Sequence, residues 1–140
     1  MTAGLQIDVL PASWQPGPEP GWFRATAVPA KDAVWSRVRA FEPLDRNPNY
    51  LLDRLRTRVE GPLGRPEVAS LPEPLADGIA VLAFELDSDD TLTARIDLVR
   101  RAWDLDIVVS ARTSEIEATE ALVTAMVELL GAVVPSGEPA

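Results

Sequence analysis

The stretch GIAVLAFELDSDDTLTARIDLVRRAWDLDIVV, residues 78–109, decides the fold of this chain. It opens with a nearly continuous apolar run from Ile79 to Phe84 and closes with the β-branched run from Ile107 to Val109. Short apolar runs of this kind are typical of strands that are covered on both faces. We therefore predict two buried strands here, the first of them central in its sheet.

The segment between these two runs fits two structures. Its large apolar residues recur at spacings of four, three and four, as on one face of a helix: Leu92, Ile96, Val99 and Trp103. Residues 92–98 also alternate between apolar and polar side chains, as in a strand. We expect a helix, because the alternation ends at Val99. The flanking strands would then be parallel and joined by a right-handed crossover.

Working outward, period-two alternation predicts two strands near the start of the chain, and capping residues with apolar spacing predict three more helices. The strands cover residues 5–9 and 22–28. The helices cover residues 32–40, the segment between Asn47 and Gly61, and residues 114–133, the last beginning at a capping box formed by Ser114 and Glu117. Proline-rich loops are expected at residues 11–21 and 61–77.

These elements predict a single α+β domain over residues 1–140. Its mixed four-stranded sheet would have helices packed mainly on one face, in the order β-β-α-α-β-α-β-α. The alternative makes residues 91–99 a strand, which gives an antiparallel meander followed by a C-terminal helix.

The composition excludes several kinds of chemistry. The chain has no cysteine and no histidine, so thiolate metal sites, cysteine nucleophiles and histidine-based triads cannot be built from its own residues. We find no catalytic motif and expect neither catalysis nor a cofactor. The start of the sequence lacks a signal-peptide pattern, and no apolar stretch has the length of a membrane span. We therefore expect a cytoplasmic protein that does not bind membranes.

The net charge of −9 is unevenly distributed along the chain. Residues 31–66 carry eight basic and five acidic side chains, a net +3, whereas residues 67–140 carry four basic and fifteen acidic side chains, a net −11. An acidic half of this kind repels nucleic acid and attracts basic proteins. The sequence thus favours a non-catalytic binding protein that binds or inhibits a basic protein partner through an acidic surface in residues 67–140, and no nucleic acid.

One candidate site lies at the junction that follows the first apolar run. It holds four carboxylates: Glu85, Asp87, Asp89 and Asp90. Carboxylate oxygens bind hard cations, but no calcium-loop pattern is present, so a solvated turn is the favoured interpretation and no metal is assigned. The alternative function is a small-molecule-binding or carboxylate-dependent enzyme domain at Glu85–Asp90. A third possibility is a structural subunit that self-associates through a sheet edge.

The tryptophans supply the other candidate. Trp14 and Trp22 flank the first proline-rich loop, and tryptophan is favoured at the energetic centres of protein interfaces. The two side chains either form a contact surface beside the loop or fold the loop down onto the sheet. Trp35 and Trp103, on predicted helix faces, are expected in the core.

Overall fold

The computed structural model describes residues 4–29, 31, 33–43, 66–86 and 88–135. These residues form mainly β-structure, with one helical region near the end of the chain. The strands are β1 (Leu5–Ile7), β2 (Trp14–Pro16), β3 (Trp22–Ala25), β4 (Trp35–Phe41), β5 (Glu67–Ser70), β6 (Ile79–Leu86), β7 (Leu92–Ala102), β8 (Leu105–Thr113) and β9 (Val133–Pro135). A 3-10 turn, Ile116–Ala118, leads directly into helix α1 (Thr119–Gly131).

Seven of the strands form one antiparallel sheet. Its order is β2-β3-β4-β8-β7-β6-β5, so β8 is the central strand. The strands β6, β7 and β8 are consecutive hairpins, and β4 joins the other side of β8. The remaining two strands, β1 and β9, form a separate antiparallel pair in which Leu5 lies opposite Pro135.

Helix α1 covers one face of this sheet, here called the helix face. Leu122, Met126 and Leu129 are fully buried, and their spacing of four and three residues places them on one side of the helix. They pack in one apolar cluster with the inward side chains of the central strands, such as Ile96 and Ile107. Burial of each such side chain contributes about 1.5–3 kcal/mol, so this layer is the main source of stability.

The opposite face of the sheet, here called the second face, has its own buried residues. Val81, Val99 and Val108 form a smaller apolar cluster on β6, β7 and β8. Beside it, the Asp97 carboxylate accepts hydrogen bonds from Arg95 Nε at 3.1 Å and from Ser110 Oγ at 2.6 Å. Asp97 is 1% exposed, so this ion pair is fully buried. The central strands are therefore apolar or paired on both faces.

The structure corrects the predicted fold class. The domain is mostly β, with a seven-stranded antiparallel sheet rather than a mixed four-stranded one. Residues 92–102 form strand β7, as in the alternative with residues 91–99 extended, and pair antiparallel with β6 and with β8. The predicted parallel pair was wrong, because β7 lies between the two apolar runs. Strand β6 is next to an edge strand, and the central position belongs to β8.

Two predicted helical features also differ in the structure. The helix predicted over residues 32–40 is wrong, because Trp35–Phe41 form strand β4, in which Ser36, Val38 and Ala40 point to the helix face. The capping box at Ser114 is absent. Instead, the Thr113 hydroxyl accepts a hydrogen bond from the backbone N–H of Glu115 at 3.0 Å, and a 3-10 turn precedes α1. The helix ends at Gly131, two residues earlier than predicted.

Other predictions are met in part or lie outside the described residues. The first strand is confirmed over Leu5–Ile7 and the second over Trp22–Ala25. Short strands occur inside both predicted loops, β2 in the first and β5 in the second. The predicted helix between Asn47 and Gly61 falls on residues outside the described ranges. Within those ranges, the structure contains no helix that combines the length and the apolar character needed to cross a lipid bilayer.

Candidate functional site

Trp14 lies in the core rather than on the surface. It is 3% exposed, and its indole Nε1 donates a hydrogen bond to the backbone carbonyl oxygen of Ala125 in α1 at 2.7 Å. Strand β2 pairs with β3 so that Trp14 lies opposite Ala25, on the helix face. The side chain therefore fastens the proline-rich hairpin to the helix, as in the interpretation that folds the loop down, and leaves no indole surface for a partner.

The acidic junction follows β6, and its described residues form an exposed turn before β7. Glu85 is half-buried and faces Arg112, with 3.4 Å between its Oε1 and the guanidinium Nε. Asp89 and Asp90 are exposed in the turn, where Asp90 has a φ of 58°. Asp87 lies outside the described residues. Among the residues that are described, no three acidic side chains come together as a metal-binding group.

Trp22 is distant from this junction. It lies on β3, four strand positions from β6, which corresponds to about 19 Å across the sheet at the usual strand spacing. The sequence-predicted residues thus fall into three places: Trp14 in the core, Trp22 on the second face, and the carboxylates at the β6–β7 turn. They do not form one site.

A compact group of side chains surrounds Trp22. In the register of β3 with β4, Trp22 lies opposite Arg37, and Arg24 lies opposite Trp35. Because side chains two residues apart on a strand share a face, all four point to the second face and alternate diagonally. We call these four residues the tryptophan–arginine face. Trp35 is 38% exposed, both arginines are exposed, and Trp22 is half-buried.

The hairpin turn before Trp22 fixes the position of its indole. The backbone N–H of Gly17 donates to the Trp22 carbonyl oxygen at 2.7 Å, and the N–H of Trp22 donates to the Glu19 carbonyl oxygen at 3.1 Å. Gly21 has a φ of 86°, which favours glycine. The guanidinium of Arg37 lies 5.4 Å from the centre of the Trp22 ring, within cation–π range.

Two cavities border the tryptophan–arginine face. One is an apolar cleft of about 240 Å³ between the two tryptophans and the hairpin tip, lined by Pro18, Glu19, Trp22 and Trp35. The other, here called the polar cavity, has a volume of about 340 Å³. Its polar lining comes from Gln15, Arg24, Thr26 and Lys31, and its remaining described lining is aliphatic.

The cations at this end of the sheet differ from those elsewhere in the described chain. Four arginines on β7 and β8 each have a carboxylate within 3.4 Å: Arg95 with Asp97, Arg100 with Asp77, Arg101 with Asp106 and Arg112 with Glu85. Among the described residues, the side chains of Arg24, Lys31 and Arg37 have no such ion pair. Within the described part of the chain, three cations without an ion pair therefore lie near Trp22 and Trp35.

Sequence reasoning singled out Trp22 but missed its three neighbours. Trp35 and Trp103 were expected on helix faces in the protein core. Both are exposed instead, Trp35 on β4 and Trp103 at the β7–β8 turn. The signal that could have found the group is the alternation in residues 35–40, where Trp35, Arg37 and Arg39 interleave with smaller side chains. That pattern is typical of a half-buried strand.

Part of the acidic surface expected from the charge distribution lies on the helical region near the end of the chain. Glu117, Glu120 and Glu128 are exposed, and the two within α1 lie on its outer side. Residues 115–134 contain no lysine or arginine. Asp97 and Asp106, by contrast, point into the structure and pair with arginines, which reduces the acidic surface that the sequence predicted.

Comparison with known proteins does not extend these observations, since neither a protein-family model nor a curated protein sequence matches this chain.

Proposed function

We propose that this protein is a non-catalytic binding domain whose contact surface is the tryptophan–arginine face. The observation that carries the proposal is the diagonal alternation of Trp22, Arg24, Trp35 and Arg37 on two adjacent strands. Tryptophan and arginine are the residues that most often dominate the energy of protein interfaces. Here both types are accessible and grouped, and the apolar cleft beside them can accept a side chain.

The sheet makes this surface rigid before any partner arrives. Backbone hydrogen bonds between β3 and β4 fix the spacing of the four side chains, and Arg37 restrains the indole of Trp22. A surface that is already ordered loses less conformational entropy on binding, so more of the contact energy contributes to affinity.

Selection of peptides from a random display library tests the proposal. We expect the wild-type protein to enrich a peptide motif and the Trp35→Ala variant to lose binding to the selected peptides by tenfold or more, about the effect of removing an interface tryptophan. The matched control is Trp103→Ala, because Trp103 is also exposed and also has an arginine, Arg100, 5.7 Å from its ring.

The control should bind the selected peptides as tightly as wild type. If the two variants bind the selected peptides equally tightly, the contact surface is elsewhere. The same conclusion holds if every selected peptide binds at residues other than Trp22 and Trp35.

A second candidate function retains the basic protein partner. It is favoured by the exposed glutamates Glu117, Glu120 and Glu128, which lie in a helical region without lysine or arginine. We propose that this acidic surface attracts a cationic protein, with inhibition as one consequence. Association of this type is fast at low ionic strength and weakens steeply with salt.

Binding to a polylysine column at increasing salt checks this second candidate. A triple variant, Glu117→Gln, Glu120→Gln and Glu128→Gln, should elute at clearly lower salt than a charge-matched control, Glu42→Gln, Glu67→Gln and Glu73→Gln, which alters glutamates exposed elsewhere. Equal elution of the two triple variants would show that only the overall charge matters.

The proposed compartment is the cytoplasm, on the ground that the chain uses no cysteine. Cell fractionation, with detection by an antibody against the protein, tests this location directly. Recovery in a membrane or extracellular fraction would refute it.

A further inference from the structure

We propose that the polar cavity binds the oxyanion of a ligand, a carboxylate or phosphate group, whose apolar part lies against Trp35. This inference rests on the proposed function, because it names the chemistry of the ligand that the tryptophan–arginine face would hold. It differs from the basic partner that the sequence favoured, since it follows from local charges and not from the net charge.

The cavity offers donors of the kind that an oxyanion needs. Three of its lining residues carry side-chain donors: Arg24 has a guanidinium, Lys31 an ammonium group, and Gln15 an amide NH₂. The Thr26 hydroxyl donates its hydrogen to the carbonyl oxygen of Ala12 at 2.7 Å, so it is not a free donor. Three donor groups from separate segments, two of them charged, match a carboxylate or a phosphate better than a neutral ligand.

The backbone around the donors is held in place. The N–H of Lys31 donates to a carboxylate oxygen of Glu115 at 2.7 Å, which ties this segment to the start of the helical region. Glu115 brings a negative charge to the neighbourhood, but its carboxylate is not within ion-pair distance of the Lys31 ammonium. Gln15 lies opposite Arg24 in the β2–β3 ladder, so these two side chains are adjacent on the same face.

The position of Trp35 defines the rest of the ligand. Trp35 is directly opposite Arg24 on the neighbouring strand, where side chains start about 5 Å apart. An oxyanion bound to Arg24 therefore has an exposed indole next to it. A ring or short apolar group attached to the oxyanion can cover part of that indole and gain contact energy from it.

The charge of the whole protein limits the size of the anion. A net charge of −9 repels a long polyanion, whose distant phosphates would approach the acidic regions. A single carboxylate or phosphate interacts mainly with the cations close to it, because exposed charges beyond about 10 Å are screened at ordinary ionic strength. We therefore assign the cavity to a small anionic ligand and not to nucleic acid.

Titration of the ¹⁵N-labelled full-length protein with phenyl phosphate and with benzoate tests this assignment, and the two probes distinguish phosphate from carboxylate. The expected result is saturable shifts of the Arg24 side-chain N–H and the Trp35 indole N–H with at least one of them. Inorganic phosphate should bind more weakly than phenyl phosphate, because it lacks the ring. Benzamidine, a cation of similar shape, should cause no such shifts.

Substitution separates the cavity from general charge effects. Arg24→Gln and Lys31→Gln should each weaken binding of the better probe about tenfold or more, the usual effect of losing a charged hydrogen-bond partner. The control Arg112→Gln removes the same charge from an exposed arginine that pairs with Glu85, and it should bind as wild type does. The residues altered or observed are all exposed: Arg24, Lys31, Arg112 and Trp35. If a variant fails to fold, the resonance shifts of the wild-type protein still test the inference.

Three outcomes would overturn the inference: no saturable shift with either anion, equal loss in the control, or tighter binding of a short oligothymidine than of phenyl phosphate. The last would assign the face to single-stranded nucleic acid. If the anions fail but Trp35→Ala still abolishes peptide binding, the proposed function stands and only the ligand chemistry is wrong.

Discussion

The indole nitrogen of Trp14 lies 2.7 Å from the carbonyl oxygen of Ala125, and this hydrogen bond joins strand β2 to helix α1. The bond is buried and joins two residues that are 111 positions apart in the sequence. Strand β2 has only three residues and lies at the edge of the sheet, so few backbone hydrogen bonds hold it. Trp14 therefore sets where the hairpin lies, and the hairpin carries Trp22 and Arg24 at its far strand.

Replacement of Trp14 by phenylalanine should lower the free energy of unfolding by about 1–3 kcal/mol, because it removes a buried donor and leaves a smaller ring in a packed site. Urea denaturation measures the change. The control Ser13→Ala removes the neighbouring bond from Ser13 Oγ to Glu128, which is exposed, and should cost less than about 1 kcal/mol. Equal losses in the two variants would show that the indole bond is not what fixes the hairpin.

The buried ion pair on the second face gives a larger expected effect. Asp97→Asn keeps the shape of the side chain but removes its charge, which leaves the buried guanidinium of Arg95 uncompensated. Loss of one partner of a buried pair costs about 3–5 kcal/mol. The comparison variant Ser110→Ala removes only one hydrogen bond to Asp97 and should cost about 1 kcal/mol. An unchanged urea midpoint in Asp97→Asn would show that the pair with Arg95 does not stabilise the folded protein.

Gly17 tests the hairpin turn beside the tryptophan–arginine face. A Cβ atom at this position would lie 2.7 Å from the Trp22 carbonyl oxygen and 2.9 Å from its carbonyl carbon, which is too close for atoms of the backbone to yield. We expect Gly17→Ala to destabilise the protein by about 1–3 kcal/mol and to shift the Trp22 indole resonance. Gly131→Ala is the control, since its Cβ would meet nothing closer than 3.8 Å. The control should be neutral or slightly stabilising, because glycine is a poor helix former.

The misassigned strand β7 shows where sequence patterns fail in this fold. Its helical spacing combined residues from both faces of a strand: Ile96 belongs to the helix face, whereas Val99 belongs to the cluster on the second face with Val81 and Val108. Alternation identifies a strand only when one face is polar. Because β7 is buried on both faces, its alternation ends at Val99 although the strand continues.

Strand β4 was missed for a related reason. Its helix face is built from Ser36, Val38 and Ala40, two of which are too small to stand out as apolar core positions. Three larger apolar residues of this segment, Val34, Val38 and Phe41, are four and three positions apart, which is also the spacing of one helix face. Strand β8 was predictable, since Ile107, Val108 and Val109 are β-branched and buried in the centre of the sheet.

The candidate site was predictable only through one of its residues. Trp22 stood out beside the proline-rich loop, and its role in binding stays a prediction. The pairing of Trp22 with Arg37 and of Arg24 with Trp35 depends on the register of β3 with β4. The sequence pattern of neither strand predicts this register. The two strands can pair only when residues 35–41 are extended, and the sequence had predicted a helix there.

The pairing of β1 with β9 has a practical consequence for measurement. Leu5 and Val133 belong to the same apolar cluster as α1, so this two-stranded sheet lies on the helix side of the domain. A biotin or a surface linker attached to this strand pair would leave from the helix side of the sheet, opposite the face that carries Trp35. A sensor chip loaded in this way would present the tryptophan–arginine face toward the analyte.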